Sequence, residues 1–66
     1  MKPTWKEFLQ KAQGWDFYYK NSERPIYKWE VYDNYPSESI KLILAGKHHE
    51  IERRVRPTFE QVRYED

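Results

Sequence analysis

The segment from Gly46 to Pro57, GKHHEIERRVRP, holds the densest group of side chains that could do chemistry. Its two adjacent histidines, His48 and His49, are followed by acids and then by arginines. Neighbouring side chains of a strand point to opposite faces, so these imidazoles could not hold one ion together. A zinc site needs three or four convergent ligands, and the chain has no cysteine. We therefore expect no metal and no cofactor, with His48 in solvent and His49 at the rim of the core.

Side chains suited to catalysis are scattered along the chain. The serines, Ser22, Ser37 and Ser39, lie in or beside predicted loops, and none has a base next to it in sequence. Glu50 and Glu52 form a carboxylate pair, but two exposed acids on one strand face are common on sheets. A domain of 66 residues has little room for a deep pocket that shifts pKa values. The sequence therefore predicts a protein that is not an enzyme.

Cations and aromatic residues interleave in a way that suggests nucleic-acid binding as an alternative function. Bases stack on aromatic rings of an exposed sheet face, and cations contact the phosphates. Tyr18 and Tyr32 would supply the rings. The cations of this alternative are Lys20, Lys28, Lys41, Arg53, Arg54 and Arg56.

Charge balance counts against that alternative. The formal net charge is +1. Residues 1–33 carry six cations and five acids, and residues 34–66 carry six of each. A dedicated duplex-DNA binder shows a larger positive excess. The acids expected on the same face, which would repel phosphate, are Asp16, Glu30, Glu50 and Glu52.

A protein partner fits the composition better. The chain has twelve aromatic residues, more than a thin core can enclose, and binding energy at protein interfaces concentrates on Tyr, Trp and Arg. Exposed sheet edges would also let a strand pair with a partner or with a second copy, which makes a homodimer an open alternative. The residues predicted to bind a protein partner are Tyr18, Tyr32, Tyr35, Arg54 and Tyr64.

The elements that would position these residues begin with a helix. Thr4 and Glu7 have the spacing of a capping box, and Trp5, Phe8, Leu9 and Ala12 follow at helical spacing. This pattern predicts a helix over residues 5–13 that ends before Gly14.

Alternation of aromatic and polar residues then predicts two strands, over residues 15–20 and 27–32, joined by the turn residues 21–25. Residues 39–45 predict a third strand. With Gly46 and Lys47 in a type II′ turn, this strand pairs with the one that ends at Val55. The implied register places Leu42 opposite Ile51, Leu44 opposite His49 and Lys41 opposite Glu52. A single helix over residues 37–55 is the competing interpretation, and Gly46 counts against it.

The sequence does not decide the structure of the chain end or the isomer of one peptide bond. Residues 58–61 repeat the capping pattern, which is compatible with a short closing helix, and a further strand fits nearly as well. The Tyr35–Pro36 bond could be cis or trans.

These elements predict one α+β domain over residues 1–66, with the N-terminal helix packed on an antiparallel β-meander of three or four strands. We expect Trp29 to be buried, so that Trp29→Ala would unfold the protein. The predicted inner face of the sheet consists of Trp15, Phe17, Tyr19, Tyr27, Trp29, Val31, Ile40, Leu42, Leu44, Ile51 and Val55, covered by Trp5, Phe8 and Leu9 of the helix.

The sequence contains no apolar run of membrane-spanning length and no signal-peptide core near Met1. We therefore expect a cytoplasmic protein that does not enter a membrane. The size of the chain and its start at methionine suggest a complete small reading frame of a bacterium or phage. The predicted function is that of an accessory protein that binds another protein as an adaptor, a regulator or an inhibitor.

Overall fold

The structure is a computed structural model that describes residues 1–56. In chain order it contains helix α1 (Trp5–Lys11), strands β1 (Trp15–Tyr19) and β2 (Pro25–Ile26), helices α2 (Lys28–Asn34) and α3 (Ser37–Ala45), and strand β3 (Ile51–Val55). The predicted α+β class, with the N-terminal helix on an antiparallel sheet of three strands, is confirmed. The predicted closing helix or strand and Tyr64 lie outside the described residues.

Helix α1 begins where the capping box predicts. The Thr4 hydroxyl accepts from the Glu7 N–H at 3.1 Å, and the Glu7 carboxylate accepts from the Thr4 N–H at 3.1 Å. The helix buries Phe8, whose ring stacks on that of Phe17 in β1 at 5.9 Å between centroids. Gly14, with φ of 79°, turns the chain from α1 into β1.

The sheet has the strand order β2-β1-β3, so the first strand lies at its centre. Both pairings are antiparallel, with Phe17 opposite Ile26 in β2 and opposite Arg53 in β3. Residues paired across the strands share a face. The inner face, which contacts the helices, therefore carries Phe17 and Arg53, while the outer face carries Tyr18 and Glu52.

The predicted strand over residues 27–32 is wrong, because residues 28–34 form helix α2. Val31 is buried, and Lys28, Tyr32 and Tyr35 are partly buried beside it. The spacing of these four positions is helical. The alternating pattern that predicted a strand depended on burial of Trp29, which is 55% exposed.

The predicted strand over residues 39–45 is also wrong, and these residues belong to helix α3. Ile40 and Ile43 are its buried residues, whereas Leu42 is exposed. The predicted register of Leu42 with Ile51 therefore does not exist, and Ile51 pairs with Tyr19 of β1 instead. The same holds for Leu44 with His49 and for Lys41 with Glu52.

Gly46 ends α3 in the left-handed conformation, with φ of 76°. Its N–H donates to the Ile43 carbonyl at 3.0 Å, and the Lys47 N–H donates to the Leu42 carbonyl at 2.8 Å. This pair of hydrogen bonds is a Schellman motif, so the predicted type II′ turn is wrong. The competing single helix over residues 37–55 is correct only up to Ala45.

The core is smaller than predicted. Several residues expected inside are exposed, namely Trp5, Leu9, Tyr19, Tyr27, Trp29, Leu42 and Val55. The buried apolar residues are Phe8, Ala12, Phe17, Val31, Ile40, Ile43 and Ile51.

No peptide bond of residues 1–56 is cis, so the Tyr35–Pro36 bond is trans. Within the same residues, no helix is long and apolar enough to cross a membrane.

Candidate binding surface

The arginines at the end of β3 contact neighbouring groups of the same chain. The Arg54 guanidinium lies over the Tyr18 ring, 3.9 Å from its centroid. It donates to the Glu52 carboxylate at 2.6 Å and to the Ser22 carbonyl at 2.9 Å. The Glu52 hydrogen bond raises the pKa of Arg54. Because its positive charge is already balanced by Glu52, Arg54 is poorly placed to bind a phosphate.

Arg56 and Arg53 are also engaged, on different faces. The Arg56 guanidinium donates to the Asp16 carboxylate at 2.7 Å on the outer face, and this contact raises the pKa of Arg56. The Arg53 guanidinium lies on the inner face, 4.1 Å from the Trp15 ring centroid, and donates to the Leu44 carbonyl. The three arginines therefore do not form a single cationic surface.

The lysines of the nucleic-acid alternative are dispersed. Lys28 in α2 donates to the Ala12 carbonyl at 3.0 Å. Burial, and then the positive charge of Arg56, lower the pKa of the Lys28 amine, while Asp16 opposes this change. Lys20 follows β1 and Lys41 lies in α3, and both are exposed.

Within residues 1–56, the tyrosines predicted to bind a partner, Tyr18, Tyr32 and Tyr35, are partly buried by the chain itself. Tyr18 lies beneath Arg54, and the Tyr32 hydroxyl donates to the Pro3 carbonyl at 2.7 Å. Tyr35 packs edge-on against His48, with ring centroids 5.6 Å apart. Burial, followed by the nearby Tyr19 and Glu50, raises the pKa of the Tyr35 phenol to about 12.

Two aromatic residues that the sequence pattern placed inside stand on the surface. Tyr27 is 69% exposed and Trp29 is 55% exposed. Their rings stack on each other, with centroids 6.0 Å apart and an interplanar angle of 13°. The sequence carries a competing signal here, because Lys28, Val31, Tyr32 and Tyr35 have the spacing of a helix that would leave Trp29 exposed.

Two grooves lie beside the edge strand β2. One groove has a volume of about 520 Å³, and the other has a volume of about 330 Å³. Arg24, Pro25, Ile26 and Tyr27 line both of them. The larger groove also contains Asp16, Lys28 and Arg56, so cations outnumber acids around it.

The histidines have the opposite environments from those expected. His48 is buried, and its Nδ1 accepts from the Glu50 N–H at 3.1 Å and from the Ile51 N–H at 3.2 Å. These contacts place the proton of the neutral ring on Nε2. His49 is exposed and stacks on His48, with centroids 4.9 Å apart. Among residues 1–56, no three metal-ligating side chains lie close enough to hold an ion.

The described residues thus offer an exposed aromatic pair, an edge strand and two grooves on one side of the sheet. Comparison of the chain with protein-family models, curated proteins and solved structures finds no match.

Proposed function

We propose that this protein is a small non-catalytic binding protein, and that its partner is another protein. It docks through the surface formed by Arg24, Pro25, Ile26, Tyr27 and Trp29, which we call the β2 surface. Bound there, it acts as an adaptor, a regulator or an inhibitor of that partner.

The stacked, exposed pair of Tyr27 and Trp29 is the observation that carries this proposal. Tyr and Trp dominate the energetics of protein interfaces. Each ring exposes apolar area that docking would remove from water, which contributes about 25 cal/mol per Å². Because the two rings already hold each other in place, docking would restrict them less than it restricts free side chains.

Charge around the larger groove suggests the chemistry of the partner. Arg24, Lys28 and Arg56 line it against a single acid, Asp16. Burial, and then the positive charge of Arg56, lower the pKa of Lys28. A partner carboxylate beside the three cations would offset their mutual repulsion. The partner surface that fits is therefore an apolar side chain flanked by Asp or Glu.

Contacts of the arginines favour a protein partner over a nucleic acid. Arg54 and Arg56 are paired with Glu52 and Asp16, so binding phosphates would require these ion pairs to open. Breaking them would reduce the gain from counterion release that drives nucleic-acid binding. The exposed aromatic pair itself is compatible with base stacking, so the experiment must separate the two partner classes.

The test compares what variants of the full chain bind. Binding proteins are captured with four tagged forms of the chain, namely wild type, Tyr27→Ala, Trp29→Ala and Leu42→Ala. Mass spectrometry then quantifies the captured proteins. Leu42 is 46% exposed but lies in α3, so Leu42→Ala is the matched control. We expect a defined protein that wild type and Leu42→Ala retain and that both aromatic variants lose. Purified, that protein should bind Trp29→Ala about 10-fold to 100-fold more weakly, since interface hot spots are worth about 2 kcal/mol or more.

A parallel titration with single-stranded and duplex oligonucleotides at two salt concentrations tests the alternative. Tryptophan fluorescence reports binding, because Trp29 is exposed. We expect no saturable change at low salt. Tight binding that weakens steeply with salt, together with no protein sensitive to Tyr27 or Trp29, would replace the proposal with nucleic-acid binding.

A further inference from the structure

Within residues 1–56, strand β3 is an edge strand that pairs with β1 on one side only. Of its outward backbone groups, the Ile51 N–H donates to His48 Nδ1, whereas the N–H and C=O groups of Arg53 and Val55 are free within these residues. The Lys20 N–H donates to the Glu50 carbonyl at 3.1 Å, and the Arg56 N–H donates to the Gly14 carbonyl at 2.8 Å. Even-numbered residues of this segment therefore bond to β1, and the N–H and C=O groups of Arg53 and Val55 point away from it.

The charges of the same segment have a symmetry that such an edge can use. Residues 50–56 read Glu-Ile-Glu-Arg-Arg-Val-Arg. Around Arg53, each outer-face acid on one side has a cation at the same distance on the other side. Glu52 matches Arg54, and Glu50 matches Arg56.

We propose that this chain forms a two-fold symmetric dimer in which β3 pairs antiparallel with β3 of a second copy, centred on Arg53. The Arg53 N–H of each copy donates to the Arg53 carbonyl of the other. The Val55 N–H of each copy donates to the Ile51 carbonyl of the other. The two three-stranded sheets then become one continuous sheet of six strands.

On the outer face of this dimer, every charged residue from 50 to 56 lies opposite a residue of the other sign. Glu52 faces Arg54 of the second copy, and Glu50 faces Arg56 of the second copy. Each pair occurs twice because the interface is two-fold symmetric. Opposite-charge pairs directly across a strand pair are stabilising, and like-charge pairs are destabilising.

Neighbouring registers have fewer complementary pairs on the outer face. A dimer centred on Arg54 would place that arginine opposite itself on this face, and one centred on Glu52 would place two carboxylates together there. The register centred on Arg53 instead places its like-charged pair, the two copies of Arg53, on the inner face, so the outer-face charges favour this register.

The inner face of the interface accommodates the two copies of Arg53. Each guanidinium lies against Trp15 of its own β1 and donates to its own Leu44 carbonyl. These contacts direct it away from the free edge and toward the chain's own helix end. Ile51 would pair on this face with Val55 of the second copy, which covers a valine that is 69% exposed in the monomer.

Dimerisation does not depend on the proposed binding function, because strands β2 and β3 lie at opposite edges of the sheet. Arg56 is the residue that borders both the larger groove and the dimer interface. The β2 surface stays accessible in the dimer. The dimer would therefore present two copies of the β2 surface and bind a repetitive partner more tightly than one copy does.

The register of the proposed dimer is tested by mixing two charge-reversal variants. Sedimentation velocity of the full chain over a range of concentrations measures association. We expect wild type to dimerise, and Glu52→Arg or Arg54→Glu alone to raise the dimer dissociation constant about 30-fold, since two cross-strand pairs become like-charged. An equimolar mixture of the two variants should form heterodimers as tight as the wild-type dimer, because arginines of one chain then face glutamates of the other.

Lys41→Glu is the matched control, because it reverses one charge in α3 and should leave the dimer unchanged. Circular dichroism checks that each variant is folded. If Arg54→Glu does not fold because the contact of Arg54 with Tyr18 is lost, Val55→Pro is tested in its place. Proline removes an N–H at the free edge that does not bond to β1. Wild type that is monomeric at millimolar concentration would overturn the proposal. So would single charge reversals that leave dimerisation unchanged, or a mixture that fails to associate.

Discussion

His48 organises the approach to strand β3 with one ring nitrogen. Its Nδ1 accepts two backbone N–H groups, from Glu50 and Ile51, and the ring packs against Tyr35. The side chain that looked like a metal ligand in the sequence thus satisfies backbone groups beside the core. Its neighbour His49 is exposed, so a substitution of His49 is a control for the same substitution of His48.

We expect His48→Ala to lower the free energy of unfolding by about 1–3 kcal/mol, because it leaves two N–H groups without their acceptor. Urea denaturation measures the change. His49→Ala is the control and should change stability by less than about 0.5 kcal/mol, as for most exposed positions. Equal losses for the two variants would contradict the role assigned to His48 Nδ1.

Tyr35 makes the stability of the folded chain depend on pH in the alkaline range. Its phenol has a pKa of about 12 in the folded chain, against an ordinary value of 10.0. Between these two pH values the unfolded chain loses the Tyr35 proton and the folded chain keeps it, so stability falls as pH rises. The contribution is fully present below pH 10.

We therefore expect the unfolding midpoint of wild type in urea to fall between pH 10 and pH 12, and to fall less in Tyr35→Phe, which has no phenol to ionise. Urea denaturation at several pH values measures both. The two proteins should show the same pH dependence below pH 10. Parallel curves up to pH 12 would show that Tyr35 does not cause the loss.

At the scale of elements, Gly46 sets where α3 stops and where Arg53 can lie. Its left-handed conformation closes the Schellman motif, and a Cβ built there would lie 2.9 Å from the Arg53 Nε. Gly14 has a similar positive φ of 79°, but a Cβ there would meet nothing within 4 Å. Both glycines therefore adopt a positive φ, but only at Gly46 would an added Cβ meet another side chain.

We expect Gly46→Ala to destabilise the protein more than Gly14→Ala. Both variants bear the left-handed backbone cost of about 1–2 kcal/mol, and only Gly46→Ala must also displace the Arg53 side chain. Thermal and urea unfolding of both proteins give the difference. A larger loss for Gly14→Ala would mean that the Arg53 contact does not stabilise this end of α3.

At the scale of the whole molecule, the core and the aromatic surface are separate groups of residues. Phe17 is fully buried and contacts Phe8 across the interface of α1 and β1. Trp29 is an aromatic residue of similar apolar character that lies mostly in solvent. Truncating each to alanine therefore separates folding from binding.

We expect Phe17→Ala to lose about 3–5 kcal/mol, which would unfold much of a domain this small. Trp29→Ala should lose less than about 1 kcal/mol, because the ring is exposed and alanine favours the helix. Circular dichroism with urea denaturation measures both. An unfolded Trp29→Ala would show that the Tyr27–Trp29 pair stabilises the fold and would remove the main support for the β2 surface.

Local signals in the sequence determined part of this fold. The capping box of Thr4 and Glu7 fixed the start of α1, because both hydrogen bonds form within one turn of the chain. Alternation around Phe17 identified β1, and the α+β class followed from these two elements. The composition was equally informative, since it pointed to surface aromatics without showing which ones they are.

The other elements depend on contacts between residues that are far apart in the chain. Residues 27–32 and 39–45 have apolar positions that fit both a strand and a helix, and a short segment has no internal means of choosing between them. Packing of Val31, Ile40 and Ile43 in one core selects the helices. That choice turns Tyr27 and Trp29 outward, leaves Ile51 to pair with β1, and gives β3 a free edge within residues 1–56. Both proposed interfaces are therefore consequences of long-range packing that the local sequence pattern does not encode.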